Sequence, residues 1–167
     1  MLLICSTALA QDLFVNSTLE NFKLASIDKL KELYDLREIY LDSSNTNGTE
    51  GVQVFISEIR KNVYLANNAI DLAFLYNLYK RHDPNTVVQE YVAMRVGDIN
   101  DNVKYNITTL DNVISLLRLR SQEKLVRDIA QYKERLVTLT AALDEMEASF
   151  VPQKPQTDTT PPRRPKQ

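Results

Sequence analysis

The apolar residues between positions 125 and 150 recur with the spacing of a helix that packs lengthwise against other helices. They alternate at steps of four and three without a break: Leu125, Ile129, Tyr132, Leu136, Leu139, Leu143, Met146 and Phe150. Neither Gly nor Pro interrupts the stretch, and eight charged residues lie at the positions between them, which gives the helix a charged outer face. A single helix cannot bury such a stripe, so the rest of the chain is expected to provide helices that cover it.

The scarcity of turn-forming residues supports a helical fold. The 167 residues include three Gly and six Pro, and five of the Pro lie after position 150. A β-protein of this length needs more turns than that composition allows. The length suits one domain with a substantial core.

Similar apolar spacing predicts three further helices. The first spans residues 12 to about 42, and its stripe is Leu19, Phe22, Ile27, Leu30, Leu33, Tyr34 and Leu41. Residues 43–51 contain two Gly and no apolar side chain, which predicts a loop. The second helix spans about 52–81, with a seam at Val52, Ile56, Ile59, Val63, Ala66, Ile70, Ala73 and Asn77. The third follows a turn containing Pro84 and ends near Arg120, where Ser121 is predicted to cap the fourth.

We therefore predict an all-α fold: an up-down-up-down four-helix bundle of long helices over residues 11–151, sustainable as a monomer or a dimer. Residues 1–10 are apolar, uncharged and end in Ala8-Leu9-Ala10, the small-x-small pattern of a signal peptidase site. They lack the usual basic segment, so they read as a signal peptide that has lost its first residues. A lipoprotein signal with Cys5 as the acylated residue is a weaker alternative, because large residues precede that cysteine.

Cleavage near Ala10 places the mature protein outside the cytoplasm, in a bacterial periplasm or secreted. It also removes the only cysteine, so the mature chain depends on its core rather than on disulfides. Residues 152–167 are rich in Pro and polar residues, which predicts a disordered tail. Either this tail is inert, or it is a basic contact segment in which Arg163 and Arg164 bind anionic envelope material or an acidic protein.

The charge distribution argues against nucleic acid as a partner. The tail holds four basic residues and one acidic residue, a net of +3, so the preceding residues carry −5 of the total of −2. Phosphate binding needs a basic face, which this acidic body lacks.

No catalytic, metal-binding or cofactor-binding motif was found. The single histidine, His82, lies at a predicted helix end, where a capping role is the simpler interpretation. One histidine and one cysteine cannot form a zinc site, and the chain has no Glu-x-x-His pair, nucleophile elbow or phosphate-binding loop. We therefore predict a protein without cofactors that is not an enzyme.

Residues 72–79 are apolar on nearly every side, which leaves three interpretations. A membrane span is disfavoured because the apolar run is far shorter than about 20 residues. A central core helix is the simplest interpretation, and an exposed patch for a partner or a lipid is the functional one. The patch would present Phe74, Tyr76 and Tyr79.

Two functional hypotheses follow. The first is a structural or interaction protein that binds a protein partner in the cell envelope, through the Asp- and Asn-rich face of residues 97–112 or through the tail. The second is a module for a small apolar ligand held between helices, near Phe74, Tyr76, Tyr79, Tyr91 and Tyr105. Asn77 and Asn106 interrupt apolar seams, so they either pair with each other to fix the helix register or line a polar pocket.

Overall fold

The computed structural model describes the backbone of residues 2–82 and 86–150, and the side chains of residues 17–78 and 87–150. This part of the chain contains four helices and no strand: α1 (Leu2–Asp42), α2 (Thr46–His82), α3 (Thr86–Leu119) and α4 (Glu123–Phe150). The all-α prediction is confirmed. The turn predicted around Pro84 and the tail predicted at 152–167 lie outside the described residues, and cleavage near Ala10 stays a prediction.

The helices alternate in direction around the bundle. On α2 and α3, the pairs Glu50–Arg120 and Asn62–Asn106 show that residue numbers rise on one helix as they fall on the other. The same holds for α3 and α4. Helix α1 closes the bundle by packing against both α2 and α4.

The core confirms the seam of α4 in full but corrects the stripe predicted for α1. All eight seam residues of α4 are buried. On α1, Leu19, Phe22 and Leu33 are buried, whereas Ile27, Tyr34 and Leu41 are exposed. The predicted stripe was too wide, because an amphipathic helix with two neighbours needs only the face that points between them. Ser26 and Leu36 occupy that face instead.

Helix α2 begins six residues earlier than predicted, so the expected loop at 43–51 shortens to 43–45. Asn45 is the cause, because its Oδ1 accepts a hydrogen bond from the backbone N–H of Gly48 at 3.0 Å, which caps the helix. The glycines serve close approach rather than a turn. A Cβ on Gly51 would lie 2.7 Å from Cδ2 of both Leu117 and Leu125, the residues against which α2 packs.

Two serines terminate helices in the left-handed conformation. Ser44 has a φ of 56° and Ser121 a φ of 58°. After Ser121, the N–H of Gln122 bonds to the carbonyl of Leu117 at 3.0 Å, the pattern of a Schellman C-cap. The prediction that Ser121 caps α4 is wrong: it closes α3, and the carbonyl of Gln122 accepts the first bond of α4, from Val126.

Residues 72–78 are neither a uniform core helix nor uniformly exposed. Ala73 is buried, and Leu72 and Tyr76 are partly buried against the core. Phe74, Leu75 and Leu78 point to solvent. None of the helices, over the residues described, combines the length and hydrophobicity required to cross a bilayer.

Candidate functional site

A layer of buried polar side chains crosses the middle of the bundle and takes residues from every helix. We call it the polar layer: Ser26 of α1, Glu58 and Asn62 of α2, Asn106 of α3 and Tyr132 of α4. Each is less than a tenth exposed. Polar groups in a core are costly unless they are hydrogen-bonded, so this layer needs a physical account.

Hydrogen bonds join one half of the polar layer. The Asn106 amide Nδ2 donates to Asn62 Oδ1 at 3.0 Å, and Asn62 Nδ2 donates to the carbonyl of Glu58 at 2.8 Å. At the rim, the Lys61 ammonium donates to Glu58 Oε1 at 2.6 Å. This chain of bonds ties α3 to α2 at one level, because sliding either helix would separate the two amides.

The other half of the polar layer lacks such bonds. Tyr132 lies beside Ser26 and Asn62, yet within the described residues no hydrogen bond of good geometry reaches the Tyr132 hydroxyl, Ser26 Oγ or Glu58 Oε2. The Tyr132 ring packs edge-on against Phe55, with ring centroids 5.5 Å apart, and tilted against Phe22. Burial raises the pKa of the Tyr132 phenol above its ordinary value near 10, and neighbouring polar groups offset only part of that rise.

A groove opens between α1 and α4 beside the polar layer. We call it the α1–α4 groove; its main cavity of about 520 Å³ is lined by Thr18, Asn21, Phe22, Ala25, Arg135, Thr138 and Leu139. A second cavity of about 310 Å³ continues from Ala25 and Arg135 towards Lys29 and Asp128, with Tyr132 in its wall. Two of the α1 residues in its wall, Thr18 and Ala25, have small side chains, so the space between α1 and α4 is left unfilled there.

Paired charges close the far end of the groove. Lys29 lies 2.9 Å from Glu32 and 3.2 Å from Asp128, which links α1 to α4. Burial lowers the pKa of Lys29, but hydrogen bonds and attraction to the two carboxylates outweigh that effect and raise it above 10.5. The neighbouring carboxylate, Asp28, pairs with Lys31 at 3.0 Å.

The structure does not gather the aromatic residues predicted as a ligand site into one pocket. Phe74 is 67 % exposed and Tyr105 is 71 % exposed, while Tyr91 is 54 % exposed. Tyr76 instead packs edge-on against Phe150, with ring centroids 4.5 Å apart. The Tyr79 side chain lies outside the described residues.

The two predicted asparagines are not partners of each other. Asn77 is exposed, and Asn106 is buried against Asn62. Asn62 was missed because the apolar seam was drawn through its neighbour, Val63, which is only partly buried. A register shifted by one residue would have placed Asn62 inside the bundle. Arg163 and Arg164 lie outside the described residues.

The described residues contain no group of three His, Cys, Asp or Glu side chains placed to hold a metal ion. Comparisons with protein-family models, with curated proteins and with solved structures found no match.

Proposed function

We propose that this chain is an exported helical bundle with a non-catalytic, protein-binding role in the cell envelope. The observation that carries the proposal is a concentration of exposed apolar side chains near the connection between α2 and α3. We call it the hairpin-end patch: Phe74, Leu75 and Leu78 on α2, and Val87, Tyr91 and Met94 on α3. Clustered exposed apolar residues mark interaction surfaces more often than single ones do.

The position of the patch suits docking. Its residues lie within eight positions of the ends of α2 and α3, about 12 Å of helix. Aromatic and Met side chains are enriched in the buried centres of protein interfaces, and three of the six patch residues are Phe, Tyr or Met. A partner could cover this end while the bundle core stays unchanged.

Export rests on the first ten residues alone, so it needs its own experiment. The mature protein should be purified from its native source and its N-terminus sequenced. Cleavage as proposed yields a chain that begins at Gln11. An intact Met1, or a chain recovered only with the cytosol, would contradict this part of the proposal without affecting the patch.

Partner binding is tested by crosslinking from the native envelope with residues 11–167 as bait. Phe74→Ser and Tyr91→Ser should each abolish recovery of a partner that wild type retains. Tyr64→Ser and Tyr105→Ser are matched controls, because each removes a tyrosine at least as exposed as Tyr91 from α2 or α3 outside the patch. Equal recovery by patch and control variants would overturn the proposal for this surface.

The basic tail is a separate contact candidate. If the partner is bound through Arg163 and Arg164, replacement of both by Ala should abolish recovery while Phe74→Ser leaves it intact. That pattern would move the binding function from the bundle to the tail.

A further inference from the structure

The α1–α4 groove combines an apolar floor with a cation, Arg135, that has no ion pair among the described residues. Phe22 and Leu139 are buried beneath it, and Ala25 and Thr138 form its walls. From Thr18 to Ala25 the groove follows about 10 Å of α1. Its cavity of about 520 Å³ is within the range of small-molecule sites.

Among the described residues, Arg135 is the only charged one that lines this main cavity. Its Nη1 donates to the carbonyl of Ala25 at 3.4 Å, a long bond, and among the described residues no carboxylate lies within ion-pair distance of it. A guanidinium has five N–H donors in a fork that matches a carboxylate. The acidic residues of the adjoining cavity already pair with lysines. The guanidinium N–H groups of Arg135 are therefore available to bind another group.

The cavity between α3 and α4 offers a useful contrast. It has a comparable volume, about 480 Å³, but its Lys133 is already paired with Asp111, which also lines it. Arg118 also lines that cavity and has no ion pair among the described residues, but the carboxylates of Asp111 and Glu134 line it as well. Among the described residues, no carboxylate lines the main cavity of the α1–α4 groove, so the cation there has no acidic neighbour in the cavity wall.

We propose that the α1–α4 groove binds a free single-chain carboxylate, with the hydrocarbon chain over Phe22 and Leu139 and the carboxylate on Arg135. The apolar floor supplies burial, and the guanidinium supplies charge-assisted, bidentate hydrogen bonds. This site lies on different helices from the hairpin-end patch, so neither proposal depends on the other.

The test uses the full chain and decanoate below its micellar concentration, measured by isothermal titration calorimetry. Decanoate should bind with one site per chain. Decanol, which keeps the chain without the charge, should bind at least tenfold more weakly, and acetate, which keeps the charge without the chain, should show no binding. Decanol equal to decanoate, or no heat with decanoate, would overturn the proposal.

Two variants locate the site. Arg135→Gln should weaken decanoate binding by about tenfold to hundredfold, the range for a lost charged hydrogen-bond partner. Ala25→Leu should occlude the junction of the two cavities and abolish binding. Arg127→Gln is the matched control, because Arg127 is an exposed arginine of the same helix that lines neither cavity.

Folding is checked independently by thermal unfolding of each variant. Decanoate should also shift the methyl resonances of Leu139 and Thr138 in wild type, and not those of Val137, which faces away and is exposed. Binding that is unchanged in folded Arg135→Gln and Ala25→Leu, or shifts spread over the whole bundle, would show adsorption elsewhere and overturn the assignment.

Discussion

Tyr132 shows how a single buried hydroxyl departs from the rest of a well-packed core. Its ring packs against Phe22 and Phe55, and these aromatic contacts stabilise the fold. Its hydroxyl makes no hydrogen bond of good geometry with the described residues, so the polar atom adds a desolvation cost without a matching gain. The ring therefore stabilises the bundle while the oxygen does not.

We expect Tyr132→Phe to leave the free energy of unfolding at neutral pH unchanged or to raise it by up to about 1 kcal/mol. Urea unfolding measures the change, with Tyr64→Phe as the exposed control. A loss of more than about 1 kcal/mol would mean that the hydroxyl makes a bond that stabilises the fold.

The same residue predicts a dependence on alkaline pH. Burial raises the pKa of Tyr132 in the folded state. The free energy of unfolding therefore does not depend on this phenol below the unfolded pKa of about 10, and it falls as the pH rises from there towards the folded value. Wild type should lose about 1 kcal/mol more than Tyr132→Phe between pH 9 and pH 11. Parallel stability curves for the two proteins would contradict this origin.

The asparagine pair predicts coupling between two helices. Asn106→Leu leaves Asn62 Oδ1 buried without its donor and should cost about 1–3 kcal/mol, and Asn62→Leu should cost a similar amount. The double variant removes both polar groups and should cost clearly less than the sum of the two. Additive losses in a double-mutant cycle would show that the two amides do not interact.

At the scale of elements, the glycines of α2 and α3 have opposite roles. Gly51 is buried where α2 meets α3 and α4, and an added Cβ would lie 2.7 Å from leucine methyl carbons of both. Gly97 of α3 faces only the end of the Glu147 side chain, 3.0 Å from an added Cβ, and that side chain is free to turn aside. The two positions therefore differ in space rather than in backbone conformation.

We expect Gly51→Ala to lower the free energy of unfolding by about 1–2 kcal/mol, because overpacking outweighs the gain in helix propensity. Gly97→Ala should raise it by up to about 1 kcal/mol. Chemical denaturation of the two variants is a matched comparison. A stabilising Gly51→Ala would show that α2 can shift away from Leu117 without cost.

The glycines at the start of α2 also show how far the structure could be predicted from the sequence. Apolar spacing was sufficient to predict four helices and the whole seam of α4, because that helix carries one narrow stripe. It failed at the start of α2, where Gly48 and Gly51 indicated a loop although their small size serves packing. It failed again on α1 and at Asn62, because periodicity alone does not say which of two neighbouring faces points inward. The α1–α4 groove left no pattern at all, since small residues indicate a gap only once their partners are known.

At the scale of the whole molecule, a single core connects all four helices. The buried apolar residues run from Leu19 on α1 to Phe150 on α4 as one continuous cluster. The polar layer lies within this cluster and takes at least one residue from each helix. Separation of any one helix would therefore expose the buried apolar faces of the helices that pack against it.

We therefore expect cooperative unfolding. The far-ultraviolet signal of the helices and the near-ultraviolet signal of tyrosine should report the same urea midpoint, since the chain has no tryptophan and Tyr132 sits at its centre. Tyr132→Phe identifies how much of the near-ultraviolet signal comes from the core. A tyrosine transition that precedes the helical one would indicate that α1 separates first.

The burial of Asn106 also limits the choice of host in which this protein can be expressed. Asn106-Ile107-Thr108 matches the acceptor pattern for N-linked sugars, and the nitrogen that would carry the sugar is the one that donates to Asn62. A glycan attached there during synthesis would hold α2 and α3 apart. A host that glycosylates secreted chains should therefore yield misassembled protein unless the exposed Thr108 is first replaced by Ala.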